Sequence, residues 1–176
     1  NMGTIAVFKK IGQVFLLVAL QVLILNKINL FGYVTPLVYI WVTIKIDNSY
    51  SRNAILLISF LTGLAVDIFT GTPGMHAAAI TLLAFVQPNL VKLFVSYDRR
   101  ELMIPSIDTM RRGPFIGYVS LCTLIHHLLY FVLKSIPVAD WSMLISKVIF
   151  SAALTVLLII VVEISFVKSA GKKSRR

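Results

Sequence analysis

Residues 54–95 read AILLISFLTGLAVDIFTGTPGMHAAAITLLAFVQPNLVKLFV, two apolar runs (54–69 and 75–95) hinged on Thr70-Gly71-Thr72-Pro73-Gly74. A perpendicular crossing of a bilayer takes about 20 apolar residues. The hinge is a tight turn, because Gly permits positive φ and Pro fixes φ. The reading is a transmembrane helical hairpin. Four more apolar runs flank it: 11–25, with its helix carried to about residue 30, then 33–46, 115–133 and 141–167. The three shortest runs need flanking residues, local thinning or burial against neighbours. Residues 33–46 are also compatible with a re-entrant hairpin spanning 26–53.

Composition agrees. Of 176 residues 58% are hydrophobic and only 14% charged, with a mean hydropathy of +0.89. So small a water-soluble fold cannot hide that much apolar side chain, and lipid is the natural solvent for it. The length fits one membrane domain, residues 1–176. The net charge is +10. Its basic residues lie between apolar runs, which points to anionic lipid headgroups at the cytoplasmic face rather than to nucleic acid. The lone cysteine, Cys122, excludes an intrachain disulfide. Lys9 and Lys10 precede the first run, but Leu25-Asn26-Lys27-Ile28 follows it instead of a small-residue cleavage site. The run is expected to remain as a helix.

Charge distribution sets the topology. With six crossings and the N-terminus inside, the cytoplasmic side receives Lys9, Lys10, Lys45, Arg52, Arg99, Arg100, Arg111, Arg112 and the basic C-terminal tail. The outer side receives only Lys27 and Lys134. This is the positive-inside bias. The expected fold is therefore an all-α integral membrane protein of six transmembrane helices, with both termini in the cytoplasm. Asp140 is a candidate N-cap for the last helix. Trp41, Tyr97, Tyr118 and Trp141 lie towards segment ends, where amphipathic rings favour the interface. The longest connection, 96–114, mixes charged and apolar residues. It reads as an interfacial segment that contacts lipid or docks a cytoplasmic partner.

Polar residues inside the apolar runs are the candidates for function. Asp67 lies near the outer end of the third run, and His76 opens the fourth just across the turn. The pair reads either as a proton or ligand site, or as a cap in which Asp67 binds turn amides and fixes the hairpin. His126 and His127 are neighbours on one helix and point about 100° apart, so a shared metal is not expected. Interhelical hydrogen bonds suit them better. Gln87-Pro88-Asn89 should kink the fourth helix. Lys92 and Glu163 are placed to snorkel, and Lys147 needs a partner or an outward snorkel. Gly63, the run His76-Ala77-Ala78-Ala79, and the Gly113/Gly117 spacing allow close helix approach. Walker, HExxH, GxSxG and CxxC motifs are all absent from the sequence. Neither enzymatic chemistry nor a cofactor is expected.

The stretch from Gly63 through Asp67, Gly71, Pro73, Gly74 and His76 to Ala77 resembles the rod shape-determining MreD family residue by residue. Asn29-Leu30-Phe31-Gly32-Tyr33-Val34-Thr35-Pro36-Leu37, Ile104-Pro105-Ser106-Ile107 and His126-His127 look like the version found in Bacteroidetes-type bacteria. The resemblance covers roughly residues 20–165. It implies a non-enzymatic scaffold of the bacterial cell-elongation complex in the cytoplasmic (inner) membrane, controlling cell shape and lateral peptidoglycan synthesis. Its implied partners are the bitopic protein MreC, the filament protein MreB and the lateral-wall synthases. Asp67, Gly71, Pro73, Gly74 and His76 would form a structural turn or a partner contact. The six-helix topology of the family is similar to substrate-binding subunits of vitamin importers, which makes a small-solute importer subunit the alternative.

Overall fold

The computed structural model describes residues 2–28, 30, 34–47, 50–95, 104–135 and 140–173, with side chains described between residues 11 and 165 of that set. Its helices are α1 (Met2–Leu23), α2 (Trp41–Ile44), α3 (Arg52–Thr70), α4 (Met75–Phe94), α5 (Ile107–Met110), α6 (Arg112–Ser135) and α7 (Trp141–Lys173). Short 3-10 turns stand at Leu25–Lys27 and Val38–Ile40. No strand occurs among the described residues; a lone bridge joins Leu30 and Val34. Four helices are long and apolar enough to cross a membrane: α3, α4, α6 and residues Trp141–Ser165 of α7. Leu57, Phe69, Phe85, Leu93, Ile149 and Leu157 stand exposed on them, as lipid-facing side chains do.

Local chemistry sets the ends of the hairpin. The Ser51 hydroxyl accepts the N–H of Ala54 and starts α3. Gly71, at φ +66°, ends it, and Gly74, at φ +79°, precedes α4. Both positions favour a residue without Cβ. Gly63 lets the two helices touch: a Cβ there would stand 2.6 Å from Ala77 Cα. At Gly117 a Cβ would meet the ring of Phe94 on α4 at 2.7 Å, whereas nothing lies within 4 Å of Gly113. The GxxxG spacing therefore contributes one close approach, not two. α4 continues unbroken through Pro88. α7 begins where Asp140 Oδ1 accepts the N–H groups of Ser142 and Met143. Tyr97, residues 96–103 of the long connection and Ile136-Pro137 lie outside the described residues, as do Asn29 and 31–33. The described part of the connection contains α5, held by a reciprocal cap between Ser106 and Thr109.

Three expectations are corrected. The first α-helix stops at Leu23 and passes into a 3-10 turn instead of reaching residue 30. Residues 34–46 do not form the long helix expected over 33–46: the backbone is irregular to Leu37, then makes the 3-10 turn and the single turn of α2. Pro36 has no N–H and disfavours the α conformation at Thr35. Side chains from other helices also take the backbone bonds that a helix would make internally. Tyr118 is likewise not an interfacial ring but is fully buried.

The irregular segment follows α7. Thr35 N–H donates to Ser151 Oγ at 3.1 Å, Leu37 N–H to Thr155 Oγ1 at 3.0 Å, and Lys45 Nζ to Glu163 Oε1 at 2.7 Å. From Ser151 to Glu163 the helix rises about 18 Å. The segment thus advances in the same direction as α7, through the middle of the bundle. Leu37, Tyr39, Ile40 and Ile44 are fully buried there.

Candidate functional site: a polar seam and two apolar grooves

Backbone that is not helical requires partners at membrane depth, because lipid supplies none. Gln21 of α1, fully buried, supplies three contacts. Its Nε2 donates to Pro36 O at 2.9 Å, and its Oε1 accepts the N–H of Val38 at 2.8 Å and of Tyr39 at 3.4 Å. Further along, Tyr118 Oη donates to Ile44 O at 3.0 Å and accepts from Gln87 Nε2 at 2.9 Å. Thr43 and Ser59 hydroxyls pair at 2.7 Å. Most of the buried polar side chains of the bundle thus serve this one segment.

The histidines belong to the same seam. Tyr39 Oη lies 3.0 Å from His76 Nδ1 and 2.8 Å from His126 Nε2. The hydroxyl has one proton, so it donates to one ring and accepts from the other. His126 Nδ1 has no partner among the described residues. Accepting from His126 Nε2–H leaves that nitrogen as an unpaired lone pair, which is less costly than an unpaired N–H. His127 Nδ1 donates to Thr123 O at 2.9 Å, and its Nε2 sits 3.0 Å from Thr155 Oγ1. The Tyr130 ring stacks on His76 with centroids 4.4 Å apart. The two adjacent histidines therefore bind different elements, Tyr39 and α7, through hydrogen bonds.

Asp67 caps the hairpin. One carboxylate oxygen accepts Thr72 Oγ1–H at 2.9 Å and the N–H of His76 at 3.0 Å; the other accepts the N–H of Ala77 at 2.9 Å. These are first-turn amides of α4, which no helical carbonyl can satisfy. Gly71 and Gly74 supply the left-handed corners on either side of Pro73. Asp67 and His76 thus meet through the His76 backbone, and the His76 ring turns to Tyr39. Gln21 is visible in the sequence only as an amide inside the first apolar run, and Tyr39, Tyr118, Ser151 and Thr155 are not legible there as site residues. Ser151 and Thr155, four apart in an apolar run, were the available signal, since that spacing aligns two hydroxyls on one helix face.

At the other end of the segment Lys45 and Glu163 form a partly buried ion pair, with side chains 16% and 2% exposed. The Lys45 ammonium also stands near the rings of Trp41 and Phe115. Glu163 therefore meets a partner instead of snorkelling. Lys147 is half-buried on α7.

Two grooves open on the flanks. The larger, about 920 Å³, lies between α1 and α3 and is lined by Phe15, Trp41, Lys45, Leu61 and Phe69 among others. The smaller, about 540 Å³, lies between α6 and α7 and is lined by Ser120 and Leu124 with Ile149, Ala152, Ala153, Val156, Leu157, Ile160 and Val161. Neither includes the histidines or Tyr39. Among the described residues no three His, Cys, Asp or Glu side chains are grouped to hold a metal. Compared with family models, with curated proteins and with solved structures, the chain finds no match.

Proposed function

We propose that this protein is a non-enzymatic, multi-pass scaffold of the bacterial cytoplasmic membrane that seats the single transmembrane helix of a partner against α6 and α7. On the resemblance to MreD the partner is MreC, and the complex is the cell-elongation machinery with MreB and the lateral-wall synthases. The observation that carries the reading is the stripe Ile149, Ala152, Ala153, Val156, Leu157, Ile160, Val161. It repeats at three- and four-residue intervals along one face of α7, with Ser120 opposite on α6. Small residues at its centre let a foreign helix approach closely, the mode by which membrane helices associate.

Six crossings with both termini inside fit this reading. The course of the irregular segment, some 18 Å beside α7 and so over half of the about 30 Å hydrocarbon core, supports a second crossing there. The positive-inside distribution then holds on every loop. A solute-binding importer subunit is less well supported: the polar side chains of the seam are closed over one another, and both grooves are lined almost entirely by apolar groups. Co-purification with MreC from mild detergent is the test, combined with mass spectrometry of retained small molecules. Retention of MreC by the native chain and its loss in Ala153→Trp support the scaffold. Absence of MreC across several detergents, or a stoichiometric small solute in its place, refutes it.

A further inference from the structure

The larger groove differs in kind from the one assigned to a partner helix. Along α1 it runs from Ile11 to Leu23, and along α3 from Ile58 to Phe69. These stretches rise about 18 Å and 17 Å. One leaflet of a bilayer has about 15 Å of hydrocarbon, half of the full core. Large side chains (Phe15, Trp41, Leu61 and Phe69) line it, which holds a helix backbone away but suits flexible chains.

Its charge is also one-ended. Among the described residues Lys45 is the only charged one in the lining, and no Asp or Glu belongs to it. Lys45 sits beside Ile44, whose carbonyl binds Tyr118, and Tyr118 is six residues, about 9 Å, along α6 from Arg112. The ammonium is therefore at the same end of the bundle as the basic residues Arg52 and Arg112. Glu163 accepts one of its three N–H groups and is not part of the lining, so the cation stands between the carboxylate and the groove.

We infer that the groove between α1 and α3 binds one anionic phospholipid, its acyl chains lying along α1 and α3 and its phosphate on Lys45. A long apolar trough with a single cation at one end is the complement of that molecule. On the six-crossing topology the lipid belongs to the inner leaflet, though the binding itself does not depend on that assignment. The site is distinct from the α6/α7 groove, so lipid and partner helix occupy the protein together.

Native mass spectrometry of the full chain in detergent, titrated with phosphatidylglycerol or phosphatidylethanolamine, tests this. One bound lipid is expected, with a preference for phosphatidylglycerol below about fivefold, the factor that corresponds to roughly 1 kcal/mol for an unpaired lysine, because Glu163 offsets part of the charge. Ala65→Trp, which fills the trough, should abolish the adduct. The double variant Lys45→Met/Glu163→Met removes the cation without orphaning its partner, and should retain lipid but lose the preference. Equal binding of the two lipids by the native chain, an adduct untouched by Ala65→Trp, or an unchanged preference in the double variant overturns the inference. Ala153→Trp should keep the lipid while releasing the partner helix, so failure of the scaffold reading is read separately.

Discussion

Gln21 Oε1 accepts the backbone N–H of Val38 at 2.8 Å, from a helix that ends only two residues later. This bond and its companion to Pro36 O tie the first helix to the segment that follows it. Gln21→Leu keeps the volume but leaves buried backbone groups without partners, each worth about 1–3 kcal/mol. A loss of about 3 kcal/mol is expected from chemical unfolding in detergent micelles.

Gly63 faces the Ala77 backbone with no room for a methyl group. Gly63→Ala should push α3 from α4 and destabilise by about 1–3 kcal/mol, the usual range for overpacking. The same change at Gly12, where nothing lies within 4 Å, should be near neutral or slightly favourable. Thermal scanning of the two variants side by side measures the difference.

Tyr39→Phe removes the hydroxyl shared by His76 and His126. A double-mutant cycle with His126→Phe should return a coupling of about 1 kcal/mol, because Tyr39→Phe strands the His126 Nε2–H and the double variant does not, while the loss at His76 is common to both and cancels. Additive effects would mean that the bond contributes nothing to stability.

Lys45→Met should destabilise by about 3–5 kcal/mol, since it strands the buried Glu163 carboxylate, and Glu163→Met should cost less, because the Lys45 ammonium opens on the groove. The double variant should regain most of that loss. Denaturant midpoints of the three proteins decide it.

Asp140 caps α7 through Ser142 and Met143, and the Ser142 hydroxyl, its principal partner, holds the carboxyl below its ordinary value. A depressed carboxyl stabilises above its unfolded pKa and loses that contribution as pH falls through the folded one. Hydrogen exchange in the first turn of α7 should therefore be protected at neutral pH and lose protection below about pH 4, corrected for intrinsic rates. Asp140→Ala should lack the protection at all pH values.

The α3–α4 hairpin and α6 were legible because their signals are local. Thr70 to Gly74 contains its own turn chemistry, and Ser51 and Asp140 stand next to the helices they cap. The conformation of the second apolar run was not legible. Residues 33–46 are apolar enough to read as a helix, and the groups that hold them otherwise are remote: Gln21 lies 15 residues from Pro36, Ser151 lies 116 from Thr35, and Thr155 lies 118 from Leu37. Periodicity within a window cannot register a bond of that reach. Asp67 was legible as a cap, yet the ring of His76 was drawn elsewhere, to a tyrosine in the misread segment. The ion pair of Glu163 was hidden for the same reason.

Since Ser151 and Thr155 come late in the chain, synthesis order matters. A ribosome that has released everything up to α6 leaves the amides of Thr35 and Leu37 with no hydroxyl to receive them. The newborn polypeptide must shelter that stretch, at the insertion machinery or in a provisional helix, until the last span arrives. Assembly of the interior is then a single closing event, and a chain interrupted before α7 would be left with a strand that the bilayer cannot accommodate.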